Sequence, residues 1–215
     1  MNGTMRVLKQ NYSKAPYFTV ASLSKDPFFS SWGSPRIVMF LTRECKKKNP
    51  MIERIAQGSY CFLKEIKGTG IRYGTPTSEY VRSRYMGTEK KPIGYISGLS
   101  FLNGLGLSDD IPGTIEIVSN IEKSRGRIIE IGSSRYYLRK PYVKVTKENA
   151  CVLPIVDMLA RSKIKETMDA KPAIEAWFKK NSVTETQIRK TYDSLPRGVK
   201  RKVGLEELLY GTMEG

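Results

Sequence analysis

The chain contains no histidine, only three cysteines and no long apolar run. Without histidine, Ser–His and Cys–His nucleophile pairs and histidine metal ligands are excluded. Cys45, Cys61 and Cys151 lie far apart and form no Cys-x-x-Cys pair, which argues against a zinc site and favours free thiols in a reducing cytoplasm. No stretch of about 18 apolar residues could span a membrane, and the first residues lack the apolar core of a secretion signal. We therefore expect a cytoplasmic protein without a metal or a cofactor.

Acidic residues are scarce relative to basic ones. The chain has 37 Lys and Arg against 21 Asp and Glu, a formal net charge of +16. Residues 1–92 hold 17 basic and 6 acidic residues, a net charge of +11, whereas residues 93–215 hold 20 and 15, a net charge of +5. A charge of this size favours a polyanionic partner, such as nucleic acid or an anionic surface. The N-terminal part is the better candidate for contacting phosphate.

The N-terminal part has the pattern of several short helices. Apolar residues at helical spacing predict a helix over 4–13, Phe18 suits a short strand, and Thr19 can cap a second helix. An aromatic connector leads to the clearest helix of the chain. There Ser34 is the predicted N-cap and Pro35 suits the first turn. Ile37, Leu41 and Cys45, with Phe40 or Val38, form the apolar stripe of this helix.

A compact hairpin follows that helix. Residues 51–55 alternate, Ala56-Gln57-Gly58 suits a turn, and residues 59–63 alternate back. A helix pair followed at once by a two-stranded wing is the order of a winged helix-turn-helix. We expect this domain to span residues 1–66.

The predicted helix and wing suit the grooves of B-form DNA. A helix fits the major groove, where its exposed side chains reach base edges, and basic residues around it hold phosphates. With about five cations on phosphates, log affinity should fall with log salt at a slope of about −4 to −5. The predicted DNA-binding residues are Ser34, Arg36, Met39, Arg43, Lys46, Lys47, Lys48 and Arg54.

The rest of the chain predicts a different domain. Residues 67–92 suit a linker with a short helix at 78–84, and the glycines around Thr69 suit a turn, since no phosphate-binding loop spacing is present. Residues 93–215 combine a buried helix over 97–105, strands in "TIEIVS" and "GRIIEIG", one or two more strands in "SRYYLRKPYVKVT", and helices at the C-terminal end. Ser182 and Glu185 match a capping box. We therefore predict an α+β fold, with an N-terminal winged helix-turn-helix followed by a small antiparallel sheet domain ending in helices.

Several segments resemble the AbiEi-type antitoxin family of type IV toxin–antitoxin systems. They are the wing "IERIAQGSY", the run "IGYISGLSFLNGLGLSDDIPGTIEIVSN", "GRIIEIG" and "KVTKENACVLPIVDMLA", in this order over roughly residues 5–205. The resemblance implies a bacterial antitoxin whose winged helix represses its own operon by binding double-stranded operator DNA. It also implies a nucleotidyltransferase-like toxin as functional partner, often without a stable complex. The family's DNA-contacting helix corresponds to residues 34–48 and its wing to residues 51–62.

Two other functions remain open at this point. In the first, the protein is an interaction module whose basic surface binds an acidic toxin, or that toxin's nucleic-acid substrate, without operator specificity. In the second, Asp109 and Asp110 serve a divalent-metal nuclease. General acid–base chemistry needs paired groups tuned by their surroundings, and the sequence offers no such set. We therefore expect no enzyme. Dimerisation on DNA is kept as an alternative to a monomer.

Overall fold

The computed structural model describes residues 3–161 and 170–209, and the chain folds into two compact units, Met1–Ser83 and Arg84–Gly215. Both units contain helices and strands, so the predicted α+β class is confirmed. The boundary falls inside the segment 67–92 that the sequence predicts to be a linker. Within the described ranges, no helix is both long and apolar enough to cross a membrane.

The first unit combines short helices with an antiparallel sheet. The sheet has the order β1-β3-β2, and a separate two-stranded hairpin, β4-β5, follows it. The elements are, in chain order, α1 (Gly3–Tyr12), β1 (Phe18–Thr19), α2 (Val20–Leu23), α3 (Ser34–Cys45), β2 (Ile52–Ala56), β3 (Ser59–Phe62), β4 (Lys64–Glu65), β5 (Arg72–Tyr73) and α4 (Thr77–Val81).

The caps of α2 and α3 show how far local sequence decides helix starts. Thr19 caps α2 as predicted: its hydroxyl accepts from the backbone N–H of Ser22, and Ser22 Oγ accepts from that of Thr19, each at 2.9 Å. The predicted cap of α3 at Ser34 is wrong. Gly33 is the N-cap in an extended conformation, and Ser34 is already helical. Pro35 has no N–H, so the first turn has one fewer donor for a cap side chain to satisfy.

One core holds the first unit together. Side chains from α1, α2, α3 and the sheet meet in it, and Phe29 of the aromatic connector joins them. Burial of such side chains is the dominant favourable contribution to folding. The members with at most 2% exposure are Met5, Leu8, Phe18, Leu23, Phe29, Ile37, Leu41, Ile52 and Tyr60.

The second unit packs helices against a four-stranded sheet of order β10-β11-β9-β8. The sheet is antiparallel except that β9 and β11 run parallel, so the predicted purely antiparallel pairing is wrong for these two strands. After a π-helical turn (Arg82–Met86), the elements are β6 (Gly87–Thr88), β7 (Lys91–Pro92), β8 (Gly94–Ser97), α5 (Gly98–Gly104), β9 (Ile115–Ser119), β10 (Arg127–Ile131), β11 (Ser134–Arg139), α6 (Leu153–Arg161), α7 (Ala170–Lys180), α8 (Glu185–Ser194), α9 (Arg197–Lys200) and α10 (Leu205–Leu209).

Helix α6 lies at the centre of this unit, since residues 153–159 are all buried. Trp177 packs edge-on against Phe101 at 5.1 Å, and its indole N–H donates to the carbonyl of Cys151 at 2.7 Å. The capping box predicted for α8 is displaced: Thr184 pairs with Gln187, not Ser182 with Glu185. Ser182 instead has a positive φ of 50°, a conformation unsuited to an N-cap, which needs extended backbone.

The loop from β9 to β10 is closed by the carboxylate of Glu122. Its Oε1 accepts from the N–H of Ser124 at 3.1 Å and from Ser124 Oγ at 2.9 Å, and its Oε2 accepts from Arg127 Nε at 2.8 Å. Burial alone would raise the pKa of Glu122. The hydrogen bonds from Ser124 and Arg127 outweigh this effect and lower the pKa below its ordinary value.

Replacing Glu122 by glutamine is expected to lower the free energy of unfolding at pH 7 by about 1 kcal/mol, since the bonds to the ionised carboxylate are lost. Because the folded pKa is depressed, this stabilisation is present above the unfolded pKa and is lost as pH falls through the folded pKa. Urea titrations at pH 7 and at progressively lower pH measure the difference in unfolding free energy between the two chains, which should narrow as the pH falls. Glu130→Gln, an exposed change on β10, is the control. A gap that stays constant with pH would contradict the assignment.

Candidate nucleic-acid interface

Helix α3 has one face in the core and one in solvent. Ile37 and Leu41 are fully buried. Of the two candidates for the remaining position of the apolar stripe, Phe40 is 5% exposed and Val38 is 41% exposed, so Phe40 belongs to the stripe. Arg36, Met39 and Arg43 are spaced by three and four residues, so they share one face of the helix. All eight predicted DNA-binding side chains, Ser34, Arg36, Met39, Arg43, Lys46, Lys47, Lys48 and Arg54, are exposed.

The aromatic connector before α3 fixes the start of this helix. Trp32 packs edge-on against Phe29 at 5.4 Å and against Phe40 at 5.6 Å, and Phe29 is fully buried. The guanidinium of Arg36 lies 4.4 Å from the centre of the Trp32 ring. A planar guanidinium stacked on an aromatic ring is restrained in position while its N–H edge stays free to donate. The connector thus helps to orient Arg36.

The three lysines after α3 are not equivalent. Lys47 Nζ lies 2.6 Å from Glu44 Oε2, and the Glu44 side chain is only 5% exposed. The other oxygen of Glu44 is buried without a hydrogen-bond partner among the described residues. Lys47 therefore balances the negative charge of the buried Glu44 carboxylate, whether or not it also contacts a phosphate. Lys46 and Lys48 are the cleaner candidates for phosphate contacts, because no ion pair engages them within the described part of the chain.

The predicted wing is the hairpin of β2 and β3. Ile52 pairs with Phe62, and Arg54 with Tyr60, before a register shift between Arg54 and Ala56. The two-residue loop contains Gly58 at a φ of 69°, a conformation that glycine adopts readily. Arg54 Nε donates to the carbonyl of Ala56 at 3.3 Å, so the exposed guanidinium stays close to the hairpin turn.

A second hairpin, β4-β5, adds three exposed basic residues, two of which lie in the segment 67–92 that the sequence predicts to be a linker. Lys64, Lys67 and Arg72 are exposed on it. Arg72 Nη1 donates to the carbonyl of Pro50 at 3.2 Å, which places this hairpin beside the connection from α3 to β2. The signal was present in "KEIKGTGIRY", where two short runs flank a Gly-Thr-Gly turn with Gly68 and Gly70 at positive φ. Arg72 therefore joins the candidate interface.

Most of the exposed side chains predicted for this surface are cationic. Burial raises the pKa of the Cys45 and Cys61 thiols, which keeps them protonated and unreactive at neutral pH. Among residues 3–161 and 170–209, no three Cys, Asp or Glu side chains lie close enough to hold a metal ion.

Asp109 and Asp110, the acids considered for a nuclease, lie in an exposed loop, where the backbone N–H of Asp110 donates to Ser108 Oγ at 3.2 Å.

The geometry is thus an exposed basic helix face, held from behind by a packed core and flanked by two hairpins. Comparison of the chain with protein-family models, with curated proteins and with solved structures finds no match.

Proposed function

We propose that the first unit is a winged helix-turn-helix that binds duplex DNA. The element order α1-β1-α2-α3-β2-β3 and the sheet order β1-β3-β2 support this assignment. In such a domain α2 and α3 form the helix pair, α3 enters the major groove, and the β2-β3 hairpin lies along the adjacent backbone. The observation that carries the proposal is the exposed face of α3 formed by Arg36, Met39 and Arg43.

Each side chain of the surface has a role in this proposal. Arg36 and Arg43 donate to guanine O6 and N7, the commonest specific contact in the major groove, and Met39 packs on a base edge. Lys46, Lys48 and Arg54 contact phosphates and fix the register of the domain on DNA without reading sequence. Ser34, at the first helical position, donates its hydroxyl to a nearby phosphate, and Lys47 contributes charge.

We further propose that the chain is an antitoxin that represses its own operon and counteracts a nucleotidyltransferase-like toxin in the bacterial cytoplasm. The resemblance of residues 5–205 to the AbiEi-type family supports this part. In this proposal the first unit supplies operator binding and the second unit supplies the antitoxic activity. No enzymatic step by this chain is required.

Binding of the full chain to its own promoter fragment and to an unrelated duplex of equal length tests the DNA-binding proposal. Arg36→Ala with Arg43→Ala should weaken promoter binding by about 30-fold or more, since two bidentate contacts at about 1–3 kcal/mol each sum to about 2–6 kcal/mol. Binding to the unrelated duplex should fall much less. Lys46→Ala with Lys48→Ala should weaken both duplexes alike and reduce the salt slope by about 2.

The matched control is Lys179→Ala with Lys180→Ala, which removes the same charge from α7 of the second unit. It should leave the preference for the promoter unchanged. Lys47 is left intact in these variants because its loss would strand the buried Glu44 carboxylate. Promoter affinity that is indifferent to Arg36 and Arg43 would refute α3 as the reading helix.

The exposed Val38 and Met39 on the same helix favour one alternative, in which this face binds an acidic protein. Apolar side chains ringed by charge are common at protein interfaces. Equal binding of the promoter and the unrelated duplex by the unmodified chain would favour this alternative, because a protein-binding face has no reason to prefer one DNA sequence.

A further inference from the structure

A basic cavity of about 500 Å³ opens on the second unit, and none of its lining residues is among those assigned to DNA. This volume lies in the range of small-ligand sites, about 300–1,000 Å³. Four cationic side chains and two tyrosines line it: Arg125, Arg139, Lys140, Arg161, Tyr137 and Tyr142. They come from the loop before β10, from β11 and the segment after it, and from the end of α6.

The inner wall of the cavity is an ion-pair network. Arg139, whose side chain is 7% exposed, donates through Nε to Glu116 Oε1 at 2.6 Å and through Nη2 to Asp157. Arg161 pairs with the same Glu116 oxygen while its side chain remains 42% exposed. These carboxylates hold both guanidinium groups in place without neutralising the cavity, since four cations face two carboxylates, a net charge of +2.

The outer rim carries the surplus charge. Arg125 and Lys140 are exposed, and no carboxylate pairs with either one among the residues that the structure describes. The loop bearing Arg125 is closed by Glu122, and the N–H of Lys140 donates to the carbonyl of Ser124 in that loop at 3.2 Å. The two rim cations are therefore held on connected backbone segments, which reduces the ordering cost of binding an anion.

The tyrosines add flat apolar surface to this charge. The guanidinium of Arg139 lies 5.7 Å from the centre of the Tyr142 ring, and Tyr137 lies beside Gly126 of the same loop. A cavity with cations alone suits any small anion. Cations together with aromatic rings suit a ligand that has both phosphate and a planar base, since bases stack on tyrosine and arginine.

We propose that this cavity binds a nucleoside phosphate, with Arg125, Lys140 and Arg161 on the phosphate and Tyr137 or Tyr142 against the base. The same chemistry occurs in a free nucleotide and at the phosphorylated end of a nucleic-acid strand. None of these residues belongs to the proposed DNA-binding face, so we expect binding here to be independent of α3.

Isothermal titration of the full chain tests the proposal with four probes: ATP, a 5′-phosphorylated trinucleotide, the same trinucleotide without the phosphate, and inorganic phosphate. Saturable binding of ATP or of the phosphorylated trinucleotide is expected, with at least tenfold weaker binding of the last two probes. If only ATP binds, the ligand is a free nucleotide. If only the phosphorylated trinucleotide binds, the ligand is the phosphorylated end of a strand.

Variants locate the binding. Arg125→Ala with Lys140→Ala, both exposed positions, should weaken binding of the best probe at least tenfold, whereas Lys179→Ala with Lys180→Ala removes equal charge from α7 and should not. Arg36→Ala with Arg43→Ala should leave this binding intact, so the result is independent of the DNA proposal. Inorganic phosphate binding as tightly as the nucleotides, no saturable binding at millimolar concentration, or indifference to Arg125 and Lys140 would each overturn the proposal.

Discussion

Replacing Arg139 by methionine is expected to lower the free energy of unfolding of the second unit by about 3–5 kcal/mol. Arg139 is 6% exposed, and its partner Asp157 is 1% exposed. Burial lowers the pKa of the guanidinium, but Asp157 and Glu116 outweigh this effect and raise the pKa above its ordinary value, so the group stays charged. Removal of Arg139 leaves the Asp157 carboxylate buried without its guanidinium partner, although the hydroxyl of Ser97 still donates to it.

The size of this effect comes from the stranded charge more than from the lost attraction. The variant that also carries Asp157→Asn should therefore be more stable than Arg139→Met alone, because the amide carries no charge. Urea unfolding of the full chain measures both. Arg135→Met is the matched control on the same strand, since its pair with Glu130 is exposed and contributes at most about 1 kcal/mol. Equal losses from Arg139→Met and Arg135→Met would contradict the argument.

Replacing Gly94 by alanine is expected to destabilise the second unit by about 3 kcal/mol. A Cβ at this position would lie under 3.0 Å from the carbonyl oxygens of Tyr85 and Val118, a separation that real Cβ atoms essentially never show. Both oxygens belong to backbone. Gly94 itself pairs with Ser119 in the sheet, and Ser119 Oγ donates to the Tyr85 carbonyl at 2.5 Å. Moving any of these backbone segments away from the new methyl group would therefore break hydrogen bonds.

Gly104→Ala at the end of α5 is the control for this substitution. A Cβ there meets nothing within 4 Å, so the same change should be neutral or stabilise by up to about 1 kcal/mol through the lower entropy of the unfolded chain. Thermal unfolding followed by calorimetry compares the two variants. A Gly94→Ala chain as stable as the Gly104→Ala chain would show that the sheet accommodates the methyl group.

Local sequence predicted much of the first unit, because its decisive signals lie within a few residues of one another. The stripe of α3 and the hairpin from residue 51 to residue 63 are of this kind. The position of a helix cap is less secure, since neighbouring residues compete for it, as Gly33 against Ser34 and Thr184 against Ser182 show.

Long-range pairings were out of reach of the sequence analysis. The parallel register of β9 and β11 joins residues about 20 positions apart, and nothing in either strand specifies its direction. Ser97, Arg139 and Asp157 meet only because the sheet and α6 bring them together. For the same reason the basic cavity was not predicted, although the exposure of all eight residues proposed for DNA follows from the helical periodicity and the hairpin.

The aromatic connector has a practical consequence. The chain has two tryptophans, Trp32 in the first unit and Trp177 in the second. Trp32 stacks with a guanidinium, whereas Trp177 is packed against Phe101 with its indole N–H on a backbone carbonyl. Each half of the molecule thus carries one tryptophan, so replacing either one by phenylalanine allows the melting of the other half to be followed by tryptophan emission.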